Sequence, residues 1–259
     1  MKKLLTVLLS LCLITGVCAF TSCESTGEKE KLVLGFDADF PPFGYEENGQ
    51  FVGFDIEFAR KVIGNLGYEL ELRPIDWDAK DALLLTGAID FIWNGFTYEG
   101  RENDYEWTVR YLDNSIVALT ATEGVNSLAD LAGKKVAVQS DSSGEAALEK
   151  NGELTRSFDG GKFYTEPEYN TACKKLTAGA YDAIIVDAGV AAYLVKNDSS
   201  LKIIPDAVAS ETYAVGFKKG NAELCEKVSA EMEKVGKDET FIKGLCEKYG
   251  VDYNAFLLK

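Results

Sequence analysis

The chain has 259 residues, 46% of them apolar, which is enough to bury one large core or two modest ones. It carries 42 acidic and 27 basic residues, for a formal net charge of −15, and no histidine. Nucleic-acid binding needs clustered Lys and Arg, so we expect no nucleic-acid partner. Without histidine, Ser-His-Asp and Cys-His catalytic centres and imidazole metal sites are excluded. No Cys-x-x-Cys or nucleotide-binding motif occurs, and we expect no metal and no cofactor.

The amino terminus has the pattern of an export signal. Lys2 and Lys3 precede an apolar run over residues 4–20, and Cys23 follows two small residues. This pattern resembles the bacterial lipobox, in which the signal is cut before a cysteine that becomes lipidated. We therefore predict a signal peptide over residues 1–22, lipidation of Cys23 and a tether over residues 23–31. The alternative is an uncleaved membrane anchor, and either one places the protein outside the cytoplasm, attached to the membrane.

Downstream of the tether, short apolar strands alternate with amphipathic helices. Phe54, Phe58, Val62 and Leu66 fall on one side of a helix that Gly67 ends. Such βα repetition predicts an α/β fold with largely parallel sheets and a ligand site beyond the carboxyl ends of the strands. No Pro/Gly/Ser-rich linker interrupts the chain, so we expect two lobes joined through strands at a hinge.

An ordered set of motifs runs through the same region. The motifs are LGFDADFPPF at 34–43, VGFDI at 52–56, DW at 76–77, WNGFT at 93–97, LADL at 128–131, KKVAVQ at 134–139 and YDAIIVD at 181–187. Together they resemble the polar-amino-acid-binding proteins of bacterial importers, solute-binding family 3. The resemblance covers essentially the whole chain after the tether.

The resemblance implies a fold and a function. The fold would be periplasmic-binding-protein-like, type II, with two α/β lobes that the chain crosses twice. The first lobe would comprise residues 32–119 and 215–259, and the second residues 120–214. The lobes would close over a polar amino acid and deliver it to an ABC permease and its ATPase. The resemblance also implies a monomer that is not an enzyme.

A free amino acid presents a carboxylate and an ammonium group to its binding site. An arginine guanidinium matches a carboxylate bidentately. Arg101 follows a buried strand and a Gly-Phe-Thr turn, so it is the candidate carboxylate clamp, with a surface arginine as the alternative. By resemblance, Thr97 donates to the same carboxylate and Gly95 leaves room for the ammonium. Ser143, at the start of a helix, would close on the carboxylate from the second lobe.

The remaining candidates would bind the ammonium and the side chain. By resemblance, Asp187 pairs with the ammonium, the alternative being a turn or helix cap. The expected side-chain contacts are Asp37, Phe40, Trp77 and Gln139, which favour a basic or glutamine-like ligand. For Phe40 the alternative is core packing. Asp141 stands where family members usually have glycine, and it either caps the following helix or contacts the ligand.

Two other functions stay open on the same fold. One is a sensor module that signals to a membrane partner, and the other is a dehydratase-type enzyme. An enzyme would need an acid or base with a shifted pKa, for which Asp37 and Asp187 are the candidates.

The cysteines of the folded region are Cys173, Cys225 and Cys246. An odd number cannot all pair. Cys225 and Cys246 either form a disulfide or are buried thiols like Cys173.

Overall fold

The structure, a computed structural model, describes residues 29–259. The predicted signal peptide, the lipidation at Cys23 and most of the predicted tether lie outside the described residues. The strands are β1 (Lys31–Phe36), β2 (Asp39–Phe40), β3 (Gly44–Glu47), β4 (Gln50–Val52), β5 (Glu69–Pro74), β6 (Phe91–Ile92), β7 (Glu106–Trp107), β8 (Leu112–Thr120), β9 (Val136–Gln139), β10 (Tyr164–Glu166), β11 (Ala183–Asp187), β12 (Lys202–Tyr213) and β13 (Gly216–Phe217). The α-helices are α1 (Phe54–Asn65), α2 (Lys80–Thr86), α3 (Ser143–Lys150), α4 (Gly152–Ser157), α5 (Tyr169–Thr177), α6 (Ala188–Asn197), α7 (Ala222–Gly236) and α8 (Glu239–Tyr249). None of the helices within residues 29–259 has the length and apolar character of a membrane span.

Two five-stranded sheets organise the fold. The first has the order β5-β1-β6-β13-β7 and the second the order β10-β9-β11-β8-β12. In the first sheet, β1 is parallel to β5 and β6, while β13 runs antiparallel to both its neighbours. In the second, β9 is parallel to β10 and β11, while β8 runs antiparallel to β11 and β12. The prediction of largely parallel sheets was therefore wrong: half of the pairings in each sheet are antiparallel. Each antiparallel pairing includes β8 or β13, the strands with which the chain enters the other sheet.

Apolar residues on both faces of the strands bury the sheets between helices. In β11, Ala183 and Ile185 pack in one core cluster, and Ile184 and Val186 pack in another. Successive side chains of a strand point to opposite faces, so an unbroken apolar run is what a sheet covered on both faces requires. The apolar side of α1 packs in the core of the first sheet, and the chain leaves this helix through Gly67, whose φ is +89°.

The chain passes between the sheets twice. The first passage lies between β7 and β8, and the second between β12 and β13. The two passages run side by side, because Tyr111 N donates to Tyr213 O at 2.8 Å. All of β8 belongs to the second sheet, so the first passage lies before residue 112. The sequence suggested a boundary near residue 119.

The three cysteines of the described region are unbridged. Cys225 and Cys246 are buried, and Cys173 is half-buried. Burial raises the pKa of all three thiols to about 11. Of the two interpretations left open by the sequence, the structure therefore supports buried thiols.

Candidate ligand-binding site

The predicted site residues lie at the carboxyl ends of parallel strands. Asp37 follows β1, Trp77 follows β5, and Gly95 and Thr97 follow β6. In the second sheet, Gln139 ends β9 and Asp187 ends β11. Both groups of loops face each other, as expected for a ligand site between two α/β units.

A cleft lies between these loops, and it contains about 290 Å³ of space free of protein atoms, part of it open to solvent. The first sheet and its loops line it with Asp37, Phe40, Trp77, Gly95, Thr97 and Arg101. The second contributes Gln139, Ser143 and Asp187, so all nine predicted residues meet at one cavity. Three residues that the prediction lacked also line it: Asn94, Ser142 and Tyr169.

One end of the cavity is organised around Arg101. Its guanidinium lies over the Phe96 ring, 5.2 Å from the centroid, and donates to Thr97 O at 3.4 Å and Asp141 O at 3.2 Å. Both acceptors are neutral carbonyls. The half-buried guanidinium thus faces the cavity without a carboxylate partner among the described residues, which is the property a carboxylate clamp needs.

Asp141 joins the two sheets through contacts that the sequence did not suggest. Its carbonyl accepts from Trp77 Nε1 at 3.2 Å as well as from Arg101, and its carboxylate pairs with the buried ammonium of Lys80. The helix cap is instead Ser142, whose hydroxyl accepts from Glu145 N at 3.1 Å. Asp141 also does not line the cavity. The sequence could not reveal this contact because Lys80 is far away along the chain.

Asp37 is held in a second group of contacts. Its carboxylate accepts from Gln139 Nε2 and from Asp39 N, each at 2.8 Å, and its own N–H donates to Asn94 Oδ1 at 2.8 Å. Burial raises the pKa of this carboxyl, and the hydrogen bonds from Gln139 and Asp39 oppose the rise. The Phe40 ring lies beside this group and packs on the Tyr169 ring, with centroids 5.9 Å apart. Phe40 is therefore both a core residue and a cavity residue.

Asp187 lies in a third group of contacts. Tyr213 OH and Asn114 Nδ2 donate to its Oδ1 at 2.5 and 3.0 Å. Asn114 Nδ2 also contacts Glu211 Oε1 at 2.5 Å, and Thr97 Oγ1 donates to Glu211 Oε2 at 2.8 Å. Burial, followed by the charge of Glu211, raises the pKa of Asp187 well above its ordinary value. Asp187 stands at the amino end of α6 but makes no side-chain cap there, which removes the alternative of a helix cap.

Gly95 is required by both its conformation and its surroundings. Its φ is +57°, and a Cβ at this position would lie 2.7 Å from the Phe40 ring. Its N–H donates to Asp55 Oδ2 at 2.6 Å, and the same oxygen accepts from Tyr111 OH at 2.8 Å. Burial raises the pKa of Asp55 to about 7. This carboxyl fixes the loop that carries Gly95 and Thr97.

Two buried donors at the cavity have no protein partner within residues 29–259. They are Asn94 Nδ2 and Tyr169 OH. Unpaired buried donors cost about 1–3 kcal/mol each, and a polar ligand would satisfy them. Asn94 could have been found from the sequence, since it lies inside the WNGFT motif. Tyr169 begins α5 after β10, two elements that the sequence analysis did not predict.

Comparison with known proteins identifies the family. The model of the bacterial extracellular solute-binding proteins, family 3, matches residues 32–251. The chain belongs to this family. It is 32% identical to the arginine-binding extracellular protein ArtP of Bacillus subtilis (strain 168) over 253 residues, covering 94% of this chain and 97% of that protein. It is also 32% identical to the L-cystine-binding protein TcyJ of Escherichia coli (strain K12) over 234 residues, covering 87% of this chain and 85% of that protein.

The solved structures agree with the sequence relatives. The substrate-binding protein of an ABC uptake transporter from Streptococcus pneumoniae with bound histidine superimposes with a TM-score of 0.80 and is 29% identical. The match covers 85% of this chain and 92% of that one. The predicted family and the predicted fold, an α/β periplasmic-binding-protein-like fold of type II, are therefore confirmed. Members of family 3 are extracellular binding proteins, and the three relatives named here are binding proteins, not enzymes.

Proposed function

We propose that this protein is the lipid-anchored, extracytoplasmic substrate-binding subunit of an ABC amino-acid importer. We further propose that it binds a basic or glutamine-like L-amino acid, with arginine as the first candidate, by closure of two lobes. The nine predicted residues would be the ligand contacts. This proposal extends to the present chain what the names of ArtP and its relatives say of those proteins.

The charge of the cavity carries the choice of ligand. Besides the neutral Tyr169 phenol, its ionisable lining consists of two buried carboxyls, Asp37 and Asp187, and one guanidinium, Arg101. Arg101 would take the ligand carboxylate and Asp187 the α-ammonium. Asp37 is then left for the side chain, and a cationic side chain would compensate its charge. Glutamine is the neutral alternative, because its side-chain amide can donate a hydrogen bond to the Asp37 carboxylate.

The charges of the lining favour a ligand with a single carboxylate. Arg101 is the one cation among the described residues that line the cavity. Cystine brings a second carboxylate, for which the lining offers no second cation.

A thermal-shift screen against the twenty L-amino acids and cystine tests the function. A ligand at 100 times its Kd adds about 2.7 kcal/mol to the free energy of unfolding. For a protein of this size that is a rise in Tm of roughly 5–10 °C. No shift with any compound would overturn the assignment as an amino-acid-binding protein, and a preference for acidic amino acids would overturn the charge argument.

Analogues of the best ligand separate the roles of the three charged residues. If arginine binds, agmatine, which lacks the carboxylate, should lose the contact with Arg101. Citrulline keeps the shape but lacks the side-chain charge, so it should bind more weakly than arginine to the wild type. In Asp37→Asn the two should bind about equally. An unchanged preference for arginine in that variant would contradict the role of Asp37.

The proposed anchor has a separate test. The wild type should sediment with membranes and incorporate labelled fatty acid, and Cys23→Ser should incorporate none. A membrane-bound wild type that carries no fatty acid and begins at Met1 would instead support the uncleaved anchor.

A further inference from the structure

The Asp187 and Glu211 carboxyls form a buried pair beside the proposed ammonium position. Both side chains are at most 5% exposed. Asn114 Nδ2 contacts an oxygen of each, at 3.0 and 2.5 Å, so those two oxygens lie within about 5.5 Å of each other. The two strands that carry the pair, β11 and β12, both flank β8. The sheet therefore holds the two acids close together.

No described cation pairs with either acid. Neither Asp187 nor Glu211 takes part in an ion pair anywhere in residues 29–259. The adjoining cavity that Glu211 lines contains the cations Arg101 and Lys150 and the acids Glu99, Asp141, Glu145 and Glu149. Tyr169 and Tyr213 also face the pair, and burial raises the pKa of both phenols, so they remain neutral. The pair thus has donors around it but no compensating charge of its own.

Two carboxylates in one low-dielectric site do not both stay ionised. Repulsion raises the pKa of one of them strongly, and the pair then holds one proton over a wide range of pH. The direction found for Asp187, with burial as the first cause and Glu211 as the second, agrees with this. An ammonium group supplies the same charge as that proton and can replace it.

We propose that Glu211 is a ligand-positioning residue that keeps a proton on Asp187 in the empty site, and that the α-ammonium of the bound amino acid displaces this proton. The O–H bond on Asp187 breaks, the proton passes to solvent, and the ammonium becomes the counter-ion of the two carboxylates. Glu211 does not line the cavity, so it acts through Asp187 and through Thr97, whose hydroxyl it orients. This inference rests on the proposed amino-acid-binding function.

The consequence is binding linked to proton release. Over the pH range in which the empty pair holds its proton, the Kd should fall by up to tenfold for each unit rise in pH. Above that range the Kd should no longer change. A site with one isolated, ionised aspartate would release no proton on binding, and its Kd would not depend on pH.

Calorimetry of L-arginine binding in two buffers with different ionisation enthalpies counts the released protons. The wild type should release up to about one proton more than Glu211→Gln over the pH range in which the empty pair holds its proton. The amide keeps the size of the side chain and an acceptor for Thr97, but it carries no charge to repel that of Asp187. Burial also raises the pKa of Asp37, but any protons that this carboxyl releases are the same in both proteins, so the difference reports on the pair.

Glu99→Gln is the matched control. Glu99 is a neighbouring acid that accepts from Thr212, the residue after Glu211, at 2.6 and 2.7 Å, and it does not line the ligand cavity. This variant should release as many protons as the wild type. Equal proton release by wild type and Glu211→Gln would overturn the inference, as would wild-type binding with no proton release. Should Glu211→Gln fail to fold, protons are counted in Asp37→Asn, which removes the other carboxyl with a raised pKa; binding without proton release by that variant would overturn the inference.

The outcomes separate the inference from the function on which it rests. If L-arginine does not bind, the same measurement is made with whichever amino acid raises the Tm most, since all carry the α-ammonium. If none binds, the proposed function fails. If one binds without proton release, the function stands and the inference fails.

Discussion

Replacing Asp187 by asparagine should change ligand affinity and stability in opposite directions. The change keeps the shape of the side chain and removes its charge. Truncating one partner of a desolvated charge pair costs about 2–5 kcal/mol, which corresponds to a Kd raised by about 30-fold to several thousand-fold. Glu211 is set back from the cavity and cannot take over the ammonium by itself.

The unliganded protein should become more stable. The folded-state pKa of Asp187 is raised above its unfolded value, so the wild type loses stability as pH rises from about 3.9 toward the folded pKa. Asparagine has no charge to bury and does not repel Glu211. We expect a gain of about 1–3 kcal/mol near neutral pH, or a few degrees in Tm for each kcal/mol, and no gain below about pH 4.

Isothermal titration calorimetry gives the affinity, and thermal melts from about pH 4 to about pH 8 give the stability. Asp113→Asn is the control, because this exposed acid on β8 lies next to Asn114 but outside the cavity. It should change stability by no more than about 0.5 kcal/mol. Near-normal binding by Asp187→Asn would refute its role as the ammonium partner. A loss of stability in the unliganded variant would refute the argument from uncompensated charge.

Three further outcomes are expected. Asp141→Asn should raise the Kd by about fivefold, mainly through faster dissociation in stopped-flow traces, because its half-exposed carboxylate pairs with the buried Lys80 ammonium and so joins the two sheets. Unchanged dissociation would contradict this. Trp77→Phe should cost about 1 kcal/mol of affinity, because the hydrogen bond to Asp141 O is lost. It should also remove most of any ligand-induced change in tryptophan fluorescence. A fluorescence change that persists would show that another tryptophan reports ligand binding. A reductant should leave the Tm unchanged, since Cys225 and Cys246 are unbridged, and a drop in Tm would reveal a disulfide.

Most of the fold could be predicted from local patterns. Apolar runs marked β1, β9 and β11, and the spacing of large apolar residues marked α1, because burial on a covered sheet or under a helix requires those periods. β10 is only three residues long, and neither it nor the following α5 was predicted. The antiparallel pairings were also missed, because strand direction depends on where the chain passes between the sheets.

The residues of the candidate site were likewise predicted only in part. All nine residues predicted from motifs and strand ends line one cavity, since the carboxyl ends of neighbouring parallel strands meet at one edge. Glu211 could not be found in this way. It lies inside the long strand β12, and its importance arises from Asn114 and Asp187 on other strands.

The sequence alone determined the family, the type of residue at each strand end and the expectation of a small polar ligand, because these follow from local order and chemistry. Only the tertiary structure decided which side chains share a charge. The pairs Lys80–Asp141 and Asp187–Glu211 join residues 61 and 24 positions apart, and the first of them joins different sheets. The physical reason is that electrostatic coupling and desolvation depend on distance and burial in space, which the order of residues along the chain does not specify.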